Sequence, residues 1–207
     1  MIRRMFAPLL IVATLVGAPV AAQAEITPEQ AKEFVVDIAR RGVNSVLAAD
    51  VSHEEQMKRF RDMFTDTFDA ETTSRFVLGR HWRVASEAER REFMALFREY
   101  NILIWSQRFD DYDGQELQAV GTQPDGDKGI FVQSQVVNTD GGGKPINIVW
   151  RLREGDGGTP NVIDIVVEGV SMALTYRSEY DSIISRSGVA GLNALLRQKV
   201  QEMGGTP

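Results

Sequence analysis

Ser171, in the run Gly169-Val-Ser-Met-Ala173, follows a stretch of β-branched residues and comes near the G-x-S-x-G pattern of a serine nucleophile. Such an elbow needs an abrupt turn into a helix and, in that chain order, a later histidine. The only histidines are His53 and His81, both upstream, and an apolar run through Leu174 stands where the turn should be. A triad in another chain order stays geometrically open, but the setting favours a backbone hydrogen bond for Ser171 where a strand ends. Asp110-Asp-Tyr-Asp-Gly-Gln-Glu116 is acidic enough to suggest calcium. With Gly114 as the sixth loop position, however, the first and twelfth would be Phe109 and Val120, which cannot ligate. His53 sits beside Glu54 in a helix's first turn and His81 stands apart from any carboxylate cluster, so no metal site is expected. Asp164 and Glu168 lie four residues apart on one strand face, as in a polar face more often than in an acid/base couple. No P-loop or dinucleotide fingerprint occurs. The expectation is a protein that is not an enzyme and needs no cofactor.

What the chain has in excess is apolar surface. Phe93, Phe97, Tyr100 and Ile104 recur along one helical face, and Ile148, Trp150, Ile165 and Val167 along strand faces. The expectation is that the helix packs on the sheet. Trp82, Val170, Met172 and Leu174 are hard to place in a simple two-layer core. A helix layer held off a curved sheet leaves an apolar cavity, and all these residues are its candidate lining.

The elements that would position them read in order. Thr27-Pro28-Glu29-Gln30 is an N-cap, a first-turn proline and a capping-box glutamine. Ala31, Phe34, Val35, Ile38, Val46 and Leu47 then keep helical spacing. Ser52-His-Glu-Glu55 and Ser86-Glu-Ala-Glu89 are two further boxes, and Asp69 can cap a short helix ending at Gly79. The longest helix follows Ser86. After Gly114 the period falls to two: Leu117–Gly121 is a weak strand, Gly129–Thr139 a strong one, and Asp140-Gly-Gly-Gly143 a hairpin turn. Ile146 to Arg153 and Asn161 to Glu168 alternate as the last strands, with Ile163, Ile165 and Val167 on one face. Ser178 can cap a helix ending near Gly188, and Val189–Met203 reads as a final helix. The fold class is α+β: N-terminal helices, an antiparallel four-stranded meander, and C-terminal helices that enclose an apolar cavity.

Arg3 and Arg4, an apolar run from Met5 to about Val20, and Ala22-Gln23-Ala24 make a signal peptide over residues 1–24. Residues 25–207 then form one domain, expected to be a periplasmic monomer. Removing the two arginines takes the formal charge from −6 to −8, which suits neither nucleic acid nor an anionic membrane surface. With no cysteine, the fold rests on its core alone.

Glu168-Gly-Val-Ser-Met172, Tyr176-Arg177-Ser178-Glu179-Tyr180, Gly188 and Gly191-Leu192 together resemble the C-terminal signature of the MlaC family. A second block runs through Leu78-Gly-Arg-His-Trp-Arg83, Ala85-Ser86, Glu89-Arg90 and Phe93-Met-Ala-Leu-Phe-Arg-Glu-Tyr100. Two departures stand out: Thr159-Pro-Asn161 where the family commonly has an aromatic residue, and an unusually apolar Asn101-Ile-Leu-Ile-Trp-Ser106. The resemblance implies a soluble periplasmic carrier that buries phospholipid acyl chains and helps maintain outer-membrane lipid asymmetry. It also implies docking to an inner-membrane ABC transporter complex and to an outer-membrane lipoprotein–porin complex. About thirty methylenes at ~0.8 kcal/mol each would cost on the order of 25 kcal/mol if exposed, so a carrier must sheathe both tails. Arg151 and Arg153, alternating with Trp150 and Leu152, are the candidate docking residues; the alternative is a solvated pairing with Asp164 or Glu168. The rival functions are a module for another apolar ligand and a hydrolase using Ser171.

Overall fold

Thr27 opens the first helix as its sequence demands. Its hydroxyl accepts from the Gln30 N–H (3.2 Å) and the Gln30 side chain accepts from the Thr27 N–H (2.9 Å). The computed structural model describes residues 26–47, 51–127 and 129–206, so the expected signal peptide, residues 1–24, lies outside the described residues. Helix α1 (Pro28–Arg41) does not run to Leu47: beyond Gly42 it widens into a π-type turn through Val46, whose side chain is buried. Ser52 caps α2 (His53–Thr67), but only half of a box forms, because the Glu55 carboxylate turns to Arg59 (2.7 Å). Asp69 caps α3 (Ala70–Leu78) through the Thr72 N–H (2.8 Å), and the short α4 (His81–Val84) follows. Ser86 and Glu89 close a full box at the start of α5 (Glu87–Ser106). Apart from that of the uncapped α4, each of these starts is fixed by a side chain within three residues of it, which is why local sequence foretells it.

Strands β1 (Glu116–Pro124), β2 (Gly129–Val137), β3 (Ile146–Glu154), β4 (Pro160–Val167) and β5 (Val170–Ser171) form one antiparallel sheet in that order. Val132, Trp150 and Ile165 stand opposite one another on its buried face. The expected four strands are therefore joined by a two-residue fifth. β4 departs from strict alternation: the register with β3 slips between Arg151 and Leu152, so Val162 rather than Ile163 shares the buried face with Ile165. Ile163 is the extra residue of a bulge. Between β4 and β5, Glu168 adopts φ +48 and is held there because its carboxylate accepts from the Asn147 N–H.

The last helical span, α6 (Met172–Glu202), begins at the Ser171 cap rather than at Ser178 and is two helices meeting at a kink, with the break at Gly188 where the sequence places it: Gly188 takes φ 70 and ψ 178. Only glycine adopts that backbone without strain.

The helix that covers the sheet is α1. Ala31, Val35 and Ile38 pack on Ile130, Val132, Trp150, Leu152, Val162 and Ile165 in one hydrophobic cluster. The long α5 was expected on the sheet. Instead it packs on α6, and Phe93, Leu96, Phe97 and Leu103 join Tyr180, Ile184, Leu192, Leu196 and Val200 in a second cluster with α3. The molecule thus has a helical core and a sheet core side by side.

Candidate functional site

An apolar slot lies where the two cores meet. α2 supplies Phe64 and, just past its end, Phe68; α3 supplies Ala70 and Thr73, and α5 supplies Phe97, Arg98, Asn101 and Trp105. Ile163, Asp164 and Ile165 come from β4, and Met172, Ala173 and Tyr176 from α6. The free space is about 500 Å³, counting its open mouth. Phe64 and Phe68 stack with centroids 4.2 Å apart, one helical turn from each other, and make a flat wall. Tyr176 meets Phe97 edge-on at 5.2 Å on the opposite side. Burial, with nearby Tyr100 and Glu179, pushes the Tyr176 hydroxyl up to about 12, so it stays neutral at physiological pH.

The polar groups among the lining are mostly committed to structure. The Asn101 amide donates to the Phe97 carbonyl (2.7 Å) and the Thr73 hydroxyl to the Ile163 carbonyl (3.1 Å). The Asp164 carboxylate accepts from the Ser171 hydroxyl (2.5 Å) and from the Ala173 N–H (2.9 Å). Ser171 Oγ in turn accepts from the Leu174 N–H (3.0 Å) and so caps α6. Asp164 and Ser171 therefore clamp the end of the sheet to the start of the last helix. His81 meets one carboxylate and not a cluster: its Nε2 lies 2.7 Å from Asp181. That contact holds the Asp181 carboxyl below the usual range, with Arg80 helping.

Of the residues the sequence put forward, Phe97, Ile165 and Met172 line the slot. Ile148, Trp150 and Val167 lie in or against the sheet core, and Phe93, Tyr100 and Trp82 in or against the helical core. The Trp82 ring takes the guanidinium groups of Arg75 and Arg90 over it, at 5.6 and 5.4 Å. Ile104 is half-buried and belongs to neither cluster. Val170 and Leu174 are 53% and 58% exposed, because the turn at Glu168 and Gly169 lifts one and the first turn of α6 points the other away. Neither lines the slot. The aromatic lining residues missed altogether were Phe64, Phe68, Trp105 and Tyr176. The four-residue spacing of Phe60, Phe64 and Phe68 was the available signal, since it repeats one large ring along one face.

Arg151 and Arg153 do point away from Trp150, as alternation requires, but not freely into water. Both bind Asp125 in the β1–β2 turn, Arg151 Nε at 2.5 Å and Arg153 Nη1 at 2.6 Å. Their partner is neither Asp164 nor Glu168. Gly129 permits this approach: a Cβ there would fall 1.3 Å from the Arg153 guanidinium. The two arginines also line a second cleft that shares Thr73, Ile163, Asp164 and Ala173 with the slot.

A helical body and an antiparallel sheet, with an aromatic slot at their seam and its polar groups tied down, define a protein built to hold an apolar ligand. The model of the MlaC protein family matches residues 39–198. The chain belongs to the MlaC family. Among solved structures, the phospholipid-binding protein from Ralstonia solanacearum, in complex with a phospholipid, has a TM-score of 0.71 and 19% sequence identity. The match covers 87% of this chain and 99% of that one, and establishes a common fold.

Proposed function

We propose that this chain is a soluble periplasmic phospholipid carrier, a binding protein and not an enzyme. It is exported through residues 1–24 and works as a monomer between an outer-membrane lipoprotein–porin complex and an inner-membrane ABC transporter complex. The observation that carries the reading is the slot itself: five aromatic and five other apolar side chains around a seam, reachable from outside. Family membership and the phospholipid bound by the Ralstonia protein support it. The hydroxyl that a hydrolase would need is spent on capping α6 and on Asp164.

The test is organic-solvent extraction of the purified protein followed by mass spectrometry, which should recover phospholipid. Ala70→Phe should plug the slot from its rim and remove that lipid while the fold survives, since filling real free space avoids the ~1–3 kcal/mol of overpacking. Leu174→Trp, on the exposed face of α6, should leave the load unchanged. Protein that yields no phospholipid, or an Ala70→Phe variant with a full load, would count against the reading.

A further inference from the structure

Arg98 stands on the rim of the slot and also lines a neighbouring open groove with Arg61, Asp62, Thr65 and Asp66. The groove lies between α2 and α5, directly beside the wall that Phe64 builds. Its four charges are not equivalent. Arg61 is bound through both terminal nitrogens by Glu99, a carboxylate only 8% exposed, so its charge is already matched. Arg98 has no ion-pair partner among the described residues. Asp62 and Asp66 are well exposed and, among the described residues, pair only with exposed Lys58 and Arg41, at 3.8 and 3.5 Å. Pairs of that kind hold their partners weakly. The groove therefore offers one available guanidinium at the slot's edge and two available carboxylates just beyond it.

We infer that this groove is a headgroup subsite selective for zwitterionic phospholipids, with Arg98 taking the phosphate and Asp62 and Asp66 the ammonium. The inference rests on the reading of the slot as an acyl-chain site. A planar guanidinium can pair two phosphate oxygens at once, and the tails entering the slot beside Phe64 put the phosphate at its rim. The ammonium of an ethanolamine headgroup, a few bonds further out, then meets the two carboxylates. A glycerol headgroup brings the same phosphate but no cation, and leaves its net negative charge beside both aspartates. Like charges in that position disfavour it.

The test presents the purified chain with equimolar phosphatidylethanolamine and phosphatidylglycerol in mixed micelles, re-isolates it and measures both bound lipids by mass spectrometry. Wild type should carry about threefold more phosphatidylethanolamine, the size of effect that an exposed ion pair gives. Asp62→Asn with Asp66→Asn should bring the ratio to one without lowering the total. Arg98→Gln should lower the load of both lipids, whereas Arg91→Gln, an exposed arginine on α5 paired with Glu87, should not. A wild-type ratio of one, a preference that survives the double asparagine variant, or an unchanged load in Arg98→Gln overturns the subsite and leaves the carrier reading standing. No phospholipid bound under any condition overturns both.

Discussion

Asp125 holds two guanidinium groups with one carboxylate, and that stoichiometry has a consequence for pH. Burial alone would raise its pKa, but hydrogen bonds from Arg151 and Arg153 outweigh burial and hold the carboxyl below the ordinary aspartate range. A folded-state pKa below the unfolded one means that the unfolded chain binds the proton more readily. The stabilisation is therefore complete above the unfolded value, about 3.9, and is lost as the pH falls through the folded value. Asp125→Asn should cost about 1–3 kcal/mol at neutral pH, because it leaves two like charges half-buried side by side. Urea titrations of both proteins should show that difference shrinking below pH 4, and a difference independent of pH would refute the assignment. If Arg151 and Arg153 dock to a membrane complex, they do so from a fixed geometry set by Asp125. Alternation along β3 made it legible that these arginines oppose Trp150. Their partner was not legible, because a hairpin register brings it from 26 residues away.

At the scale of elements, the positions that matter most are irregular ones. Gly188→Ala should destabilise by about 1–3 kcal/mol, since φ 70 with ψ 178 is a glycine conformation and open space around it cannot relieve backbone strain. A lower urea midpoint with an unchanged slope would establish this, and an unchanged midpoint would show that the bend is not held in solution. Most helix starts could be read directly from Thr27, Ser52, Asp69 and Ser86, because a cap satisfies donors two or three residues away. Two features that aim the slot could not. The bulge at Ile163 turns β4 and sets Asp164 against Ser171, and the angle between the two halves of α6 at Gly188 is set by their packing against α5. Neither depends on neighbours in sequence.

On the scale of the whole molecule, two cores with a slot at their seam suit a carrier whose free volume changes on loading. About thirty methylenes, each roughly the size of a water molecule at ~30 Å³, need ~900 Å³, well above the about 500 Å³ of the slot, part of which is open solvent at its mouth. Loading two tails must widen the seam, and either core can shift as a body without being breached. Hydrogen exchange on stripped and loaded protein should differ in α2 and at the start of α3, and agree in β2, β3 and the middle of α5. Uniform protection changes would argue against separate bodies. The order of helices, sheet and helices made the α+β class legible in sequence, but which helix covers the sheet was not, because α1 and α5 both present apolar stripes. The chain order of the helical core has a temporal consequence. The whole sheet, from Glu116 to Ser171, is inserted between α5 and the α6 that completes its core. As the chain emerges N-terminus first, the β hairpins can pair, while Phe93, Phe97 and Leu96 stay uncovered until the final thirty or so residues arrive. Closure of that core is then a late event in folding. Leu196→Ala should accelerate unfolding and leave the refolding rate nearly untouched in stopped-flow measurements.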